Sequence, residues 1–343
     1  RIIREELLEI KRKFGDARRT RIDNIDDDID VEDLIKEDKK GFYLKGEFLD
    51  DEESLTLEVG TDLNRILVKI NGVEYKSKRS LFGRVRTVIF TPDDLQLIKD
   101  GPEKRREYLD LYLAQVYPEY RQHYHQFYRA LFQRNSLLKR FREGFRDFRE
   151  LEIWTEQMIA EGSQVIYLRL KAIEDISPWV NRYHQLMSQE QESLSINYKL
   201  AGERVPSLPV STVQDKLRTV LERRKNEEIL RGYSLVGPHR DDLILLLNRE
   251  WEMRVYGSQG QQRTAALAMK LAMVDLIKKT HGVPPLLLLD DVFSEFDDDR
   301  KKELLRVLTE GTQTIISTAE ERDFLNFGAE LKSFRVENGV IYD

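Results

Sequence analysis

The sequence has no cysteine among its 343 residues. This absence excludes disulfides and every zinc or iron–sulfur site built on thiolates, and it predicts a protein of the reducing cytoplasm. Long apolar runs are missing too, since the longest covers residues 283–289, and a membrane-spanning helix needs about 20 residues. No secretory leader pattern opens the sequence. Together these features predict a soluble, cytoplasmic protein without a membrane partner.

The chain also lacks an excess of positive charge. Its 56 lysines and arginines face 62 acidic residues, which gives a net charge of −6. A globally basic nucleic-acid binder is therefore excluded, whereas local basic patches are not. The hydrophobic fraction of 40% is enough for a sizeable core. At roughly 100–200 residues per domain, this length predicts two or three structural units.

Changes in residue pattern predict four segments. Residues 1–40 predict a short amphipathic helix followed by an acidic linker. Residues 41–102 alternate apolar and polar positions, with Asn71-Gly72 as a hairpin turn, and predict a β-rich part of a lobe. Residues 103–231 predict a mostly helical arm divided at Pro118 and Pro178.

Residues 232–343 return to an α/β pattern. Strands are predicted at residues 242–247, 286–290 and 313–318, with helices between them. Because these strands do not alternate, the pattern is typical of a parallel sheet covered on both faces.

A run of apolar residues that ends in two acids is the most informative string. Asp290 and Asp291 follow four leucines, so a buried parallel strand would place them at the edge of the sheet where such folds bind ligands. In a nucleotide hydrolase the first acid would hold Mg²⁺ and the second would orient or deprotonate water. The alternative is a strand ending in a turn, with the acids capping the next helix.

A glycine-rich loop precedes a predicted helix at residues 257–263. Its small residues let the backbone approach an anion, the helix start offers free N–H groups, and Ser258 adds a hydroxyl. The alternative is an ordinary loop before a helix. The loop lies about thirty residues before the paired acids, an arrangement that resembles ABC-type ATPase heads. Ser294-Glu295-Phe296-Asp297 stands where such heads carry a dimer-contact loop.

Several ordered strings over residues 41–343 resemble the RecF family, bacterial recombination-repair ATPases related to the SMC proteins. These strings are Phe90-Thr91-Pro92-Asp93-Asp94-Leu95, Gly101-Pro102 with Arg105-Arg106 and Leu109-Asp110, Gly237-Pro238-His239-Arg240-Asp241-Asp242, residues 257–263 and residues 287–297. The resemblance implies an α/β head of the ABC/SMC type with a helical arm.

The resemblance also implies residue roles and partners. Asp290 would bind Mg²⁺, Asp291 would be catalytic, and Thr318 would be a switch residue. The contact to the γ-phosphate of ATP in trans would come from Ser258, Gly260 and Gln261, and the dimer contact from Ser294 and Asp297. The implied function is DNA repair, replication, recombination and the SOS response, with ATP-dependent homodimers that bind single-stranded gaps and act with RecO, RecR and RecA.

One family motif is missing from the sequence. None of the eighteen glycines is followed by lysine, so no G-x-x-x-x-G-K-[ST] loop is present to wrap phosphates. The head is therefore predicted to be incomplete, with weak or no ATP binding by the isolated chain. A remnant that binds DNA or a partner without hydrolysing ATP is the alternative function. Residues 1–38 resemble the end of the DNA gyrase A coiled coil and its following linker.

Further candidates lie in the predicted arm and at one turn. Residues 121–149 carry eight basic and two acidic residues interleaved with aromatics. They predict DNA contacts at Arg140, Arg142 and Arg146, or else plain packing of the aromatics between helices. Arg240, in the turn at residues 237–242, is a candidate phosphate contact. His123 and His125 are expected to pack or lie at the surface rather than to bind metal.

Overall fold

A computed structural model gives the fold of residue 35 and of residues 39–49, 54–61, 66–75, 78–81, 83–144, 147–293, 298–308, 311–319, 332–337 and 340–342. Apart from residue 35, the gyrase-like segment therefore lies outside the described residues, as do Arg146, Ser294 and Asp297. The chain divides into two compact units, residues 1–94 with 284–343 and residues 95–283. This division differs from the predicted one, because residues 232–283 group with the helical segment.

Strands and helices of the described residues are numbered in chain order. The strands are β1 (Phe42–Leu49), β2 (Ser54–Thr61), β3 (Ile66–Ile70), β4 (Val73–Tyr75), β5 (Thr87–Phe90), β6 (Leu194–Leu200), β7 (Glu203–Val205), β8 (Asp242–Leu247), β9 (Trp251–Glu252), β10 (Leu286–Asp290), β11 (Thr314–Ser317), β12 (Arg335–Glu337) and β13 (Val340–Tyr342). The α-helices are α1 (Gln96–Lys99), α2 (Pro102–Val116), α3 (Pro118–Arg142), α4 (Phe148–Met187), α5 (Val210–Arg231), α6 (Met253–Tyr256), α7 (Gln259–His281) and α8 (Asp298–Leu308). Short 3₁₀ helices span Lys78–Leu81 and Pro92–Leu95. Among the described residues, no helix is both long and apolar enough to cross a membrane.

The first unit contains an antiparallel meander and a parallel sheet. The meander has the order β1-β2-β3-β4, and its last turn is the predicted hairpin, with Asn71 at φ 50° and Gly72 at φ 78°. The parallel sheet has the order β11-β10-β5, so the leucine-rich strand β10 lies in its centre. Its register pairs Asp290 with Ser317 at the carboxyl end of the sheet.

The second unit builds its core from helices and a separate sheet with the order β7-β6-β8-β9. Strand β8 was predicted to belong to the parallel sheet, and that prediction is wrong, because β8 pairs antiparallel with both β6 and β9. Residues 243–247 of β8 are all buried. A strand covered on both faces is apolar throughout in either kind of sheet, so periodicity alone does not distinguish them.

Helix α4 runs for 40 residues and contains Pro178 in its interior. The prediction that Pro178 divides two helices is therefore wrong, whereas Pro118 does stand at the start of α3. On either side of Pro178, Ile173, Ile176 and Val180 are buried. The packing of this apolar face stabilises the helix more than the hydrogen bond lost at proline weakens it.

Candidate functional site

The paired acids lie at the carboxyl edge of the parallel sheet, as the sequence predicts. Asp290 ends β10 and its carboxylate accepts a hydrogen bond from the Ser317 hydroxyl on β11. The Asp291 amide donates to the Ser317 carbonyl at 2.9 Å, with Asp291 itself in the left-handed region at φ 49°. Thr318 directly follows β11. This edge of the first unit thus brings together two predicted acids, the predicted switch residue and Ser317, which the sequence did not single out.

The chemistry of this edge suits a hard cation. Carboxylate and hydroxyl oxygens are ligands that Mg²⁺ accepts, and Mg²⁺ in nucleotide sites is held by one or two carboxylates together with waters and phosphates. In the part of the chain that the structure describes, no group of three or more histidine, cysteine or acidic residues is placed to hold a metal alone. Asp290 and Asp291 offer oxygen ligands of the kind that such a Mg²⁺ ion would need from the protein.

The glycine-rich loop begins helix α7 in the second unit. Ser258 is the N-cap: its hydroxyl accepts from the Gln261 amide at 3.3 Å, and the Ser258 amide donates to the Gln261 side chain at 2.7 Å. This reciprocal capping box explains why a serine is followed three residues later by glutamine. A Cβ on Gly257 would lie 2.4 Å from the Met253 sulfur, so only glycine fits there. The loop is thus a well-formed, exposed helix start, the geometry that suits an anion.

Two neighbouring arginines hold the turn at residues 237–242. Arg105 donates to the Asp242 carboxylate at 2.8 Å, and Arg106 donates to the Asp241 carbonyl at 2.8 Å. Two strings quoted separately in the sequence, one at the start of α2 and one just before β8, therefore meet in the second unit. Their contact makes the turn a fixed structural element.

A third arginine, Arg169 of α4, also donates a hydrogen bond to this turn. It is 1% exposed and donates to the Pro238 carbonyl at 2.7 Å. Its other nitrogens donate to Asp110 and to the Tyr120 hydroxyl, and Tyr120 itself donates to Asp110. Tyr198 completes the cluster at 3.3 Å from Arg169. Sequence reasoning missed this cluster, because its members come from distant positions in the chain.

Burial shifts the pKa of two groups in the turn. Desolvation raises the pKa of Asp241 to about 6, although the Tyr198 hydroxyl and the Ala201 amide both donate to its carboxylate. Desolvation is the largest cause, and repulsion from Arg240 the next, of a pKa of His239 lowered to about 3. Both groups therefore favour the neutral form in the folded protein more than they do in water.

The basic and aromatic residues of α3 separate into two sets. Arg140 and Arg142 are exposed in its last turn, where DNA contact was predicted. Three of the aromatics in residues 121–149 instead pack inside the protein: Tyr124, Phe127 and Phe141. Phe132 differs, with 70% of its surface exposed. The packing interpretation is thus correct for the buried aromatics and leaves the arginines accessible.

His123 lies next to a carboxylate. Its Nδ1 is 2.7 Å from Glu161 of α4, and the Tyr124 ring contacts His125 edge-on. These contacts agree with packing roles for both histidines.

The chain is similar in sequence to curated RecF proteins, although no family model matches it. The DNA replication and repair protein RecF of Halothermothrix orenii is 36% identical over 298 residues, which cover 85% of this chain and 78% of that protein. The RecF of Natranaerobius thermophilus is 35% identical over 327 residues, which cover 89% and 82%.

Solved RecF structures share the fold. The recombination mediator protein RecF in the RecFOR pathway, determined with ATPrS, has a TM-score of 0.79 and 32% identity over 98% of this chain and 87% of its own. The same mediator determined with ATP has a TM-score of 0.75 and 34% identity over 92% and 84%. These similarities confirm the predicted α/β head with a helical arm. The chain belongs to the RecF family of DNA replication and repair proteins.

Proposed function

We propose that this chain is a recombination-repair factor that binds ATP and single-stranded or gapped DNA and helps to load RecA at gaps. Family membership over 85% of the chain is the observation that carries the proposal. The acids at the sheet edge and the capped glycine-rich loop support it, because each has the chemistry that its proposed role needs.

The sheet edge would hold the metal side of a nucleotide. Asp290, oriented by the Ser317 hydroxyl, would bind Mg²⁺, while Asp291 would act on the attacking water and Thr318 would be the switch residue. Bound Mg²⁺ supplies charge neutralisation between the phosphates. The positive φ of Asp291 turns the chain sharply after β10, and such strained backbone is found often at active sites.

The glycine-rich loop would act on a nucleotide held by a second copy. Amides at the start of α7 suit an anionic γ-phosphate, with Ser258, Gly260 and Gln261 as the contacts in trans. The proposed assembly is thus an ATP-dependent homodimer, in which Ser294 and Asp297, outside the described residues, form the dimer-contact loop. In such a dimer Ser258 would exchange its capping bond for a phosphate contact.

The absence of a glycine–lysine phosphate loop in the sequence favours a second candidate function. The carboxylates of Asp290 and Asp291 accept hydrogen bonds and donate none to phosphates, so without the N–H groups and lysine of such a loop we expect weak ATP binding and no fast hydrolysis by this chain. The alternative is a DNA- or partner-binding protein that does not hydrolyse ATP. An ATP titration with Mg²⁺ tests this: saturation at micromolar ATP that is lost in Asp290→Asn would contradict weak binding.

DNA would be bound through the exposed arginines of the arm. Arg140, Arg142 and Arg146 are the proposed contacts, and RecO, RecR and RecA are the proposed partners. Reversing these charges with glutamate should weaken binding and flatten its salt dependence. Unchanged DNA affinity would mean that these arginines serve packing and solubility only. Activity on gapped DNA coated with single-strand-binding protein, measured with RecA, RecO and RecR, tests the loading function.

Residues 1–38, which resemble the end of the DNA gyrase A coiled coil, can be tested for a part in DNA binding. If these residues are an independent leader, a chain starting at Gly41 should bind DNA as the full chain does. A large loss of affinity would assign them a part in the RecF-like function.

A further inference from the structure

The turn at residues 237–242 presents one exposed cation on a rigid support. Pro238 and Asp241 are buried, and His239 packs its ring against Phe127 at 5.6 Å between centroids. Arg240 alone is exposed. The Arg240 amide donates a hydrogen bond to the Gly237 carbonyl at 2.8 Å, and this bond fixes its backbone. Because Arg105, Arg106 and Arg169 donate hydrogen bonds to this turn, the backbone of Arg240 is largely preorganised.

An aromatic ring supports the side chain of Arg240. Its guanidinium carbon lies 5.4 Å from the centre of the Tyr233 ring, and Tyr233 is 37% exposed. A guanidinium stacked on a ring has one face covered, whereas its N–H groups point outward in the plane. Those groups are the ones that contact phosphate oxygens in a forked arrangement.

Two further cations lie beside this pair. Gly232 follows α5, and a Cβ on it would lie 3.6 Å from the Cα of Lys139, so the end of α5 meets the last turn of α3. Lys139 is exposed, and Arg231 lies with Nη1 3.5 Å from the Tyr233 hydroxyl. We call Lys139, Arg231, Tyr233 and Arg240 the Tyr233 patch.

The patch is positive on a chain that is negative as a whole. Glu227 pairs with Arg231 at 2.8 Å, which leaves Lys139 and Arg240 to carry net positive charge in a protein of net charge −6. Compensation of helix dipoles explains basic residues at the ends of α3 and α5. It does not explain Arg240, which stands on a turn.

We propose that the Tyr233 patch is a binding site for the phosphates of a single DNA strand, with Arg240 as its central contact. The inference rests on the proposed DNA-binding function and adds contacts to those proposed at Arg140, Arg142 and Arg146. It also assigns Arg240 to the phosphates of a strand rather than to those of a bound nucleotide. Basic side chains next to a partly exposed aromatic ring are the usual means of holding a single strand.

Anisotropy of a labelled oligothymidine, titrated with the full chain at several salt concentrations, tests the site. Arg240→Gln should weaken binding about fivefold at roughly 0.1 M salt, and should reduce the slope of log K against log salt by about 0.7. Adding Lys139→Gln should remove a further contact and weaken binding by a similar factor. Arg218→Gln on α5 is the matched control, because Arg218 is exposed but pairs with Glu156 at 2.9 Å; its binding should stay at the wild-type level.

Each other outcome has a distinct meaning. If wild type binds DNA and Arg240→Gln binds equally well with the same slope, this site is wrong and the proposed function stands. If wild type does not bind DNA, both fail. If Arg240→Gln impairs ATP binding while DNA affinity is unchanged, Arg240 serves a nucleotide and the proposal is overturned. Circular dichroism of each variant checks the fold, and Tyr233→Phe should bind as wild type because it keeps the ring.

Discussion

Replacing Asp110 with alanine should destabilise the second unit more than any change to an exposed ion pair. Asp110 and Arg169 are 3% and 1% exposed, and Asp110 accepts hydrogen bonds from both Arg169 and Tyr120. Without the carboxylate, a buried guanidinium keeps its bond to the Pro238 carbonyl but loses its counter-charge. Breaking a buried pair in this way costs about 3–5 kcal/mol of unfolding free energy.

Urea unfolding monitored by tryptophan fluorescence measures this loss of unfolding free energy in the second unit. The sequence has three tryptophans, Trp154, Trp179 and Trp251, and all lie in residues 95–283 of the second unit. The control is Glu156→Ala, whose partner Arg218 is 48% exposed, and whose loss should cost less than about 1 kcal/mol. The double change Asp110→Leu with Arg169→Met should recover much of the loss, because it leaves no unpaired charge. An Asp110→Ala chain as stable as Glu156→Ala would refute this reasoning.

Further predictions concern pH and helix capping. Burial raises the pKa of Asp241 to about 6 from 3.8, so between these pH values the folded state holds a proton that the unfolded chain has lost. The free energy of unfolding should therefore fall as the pH rises from about 4 to 6, by about 3 kcal/mol in full. Asp241→Asn should remove that fall in urea titrations at both pH values, and an unchanged pH profile would contradict this prediction. The lowered pKa of His239 acts in the opposite direction, because the unfolded chain takes up the proton first as the pH falls, so His239→Gln should make the protein less sensitive to acid. Ser258→Ala should cost about 1 kcal/mol through loss of the N-cap of α7, while Ser258→Thr should retain most of it; equal stability of the two variants by thermal unfolding would show that the cap contributes little.

The sequence predicted those elements whose signal is local. Strand β10 and its acids were found because a run of leucines ending in two aspartates is typical of a buried strand that reaches the edge of its sheet. The Asn71-Gly72 hairpin was found because both residues accept a positive φ. The start of α7 was found from its serine and glycines. In each case neighbouring residues determine the conformation.

Features set by distant residues were missed. Ser317 orients Asp290 through the register of two strands 27 residues apart, which no local pattern encodes. The same holds for Arg169, whose partners Asp110 and Pro238 lie 59 and 69 residues away. Pro178 was misread because the buried face of α4 outweighs the local preference of proline.

Sedimentation velocity of the full chain with and without millimolar ATP and Mg²⁺ tests the central claim most directly. If the loop at Ser258 and the acids at Asp290 and Asp291 hold one nucleotide between two copies, ATP should convert monomer to dimer. Ser258→Arg should abolish the dimer by blocking the phosphate contact, and Asp290→Asn should abolish it by removing the metal ligand. A chain that sediments as the same species with and without nucleotide would contradict the claim and favour the function without ATP hydrolysis.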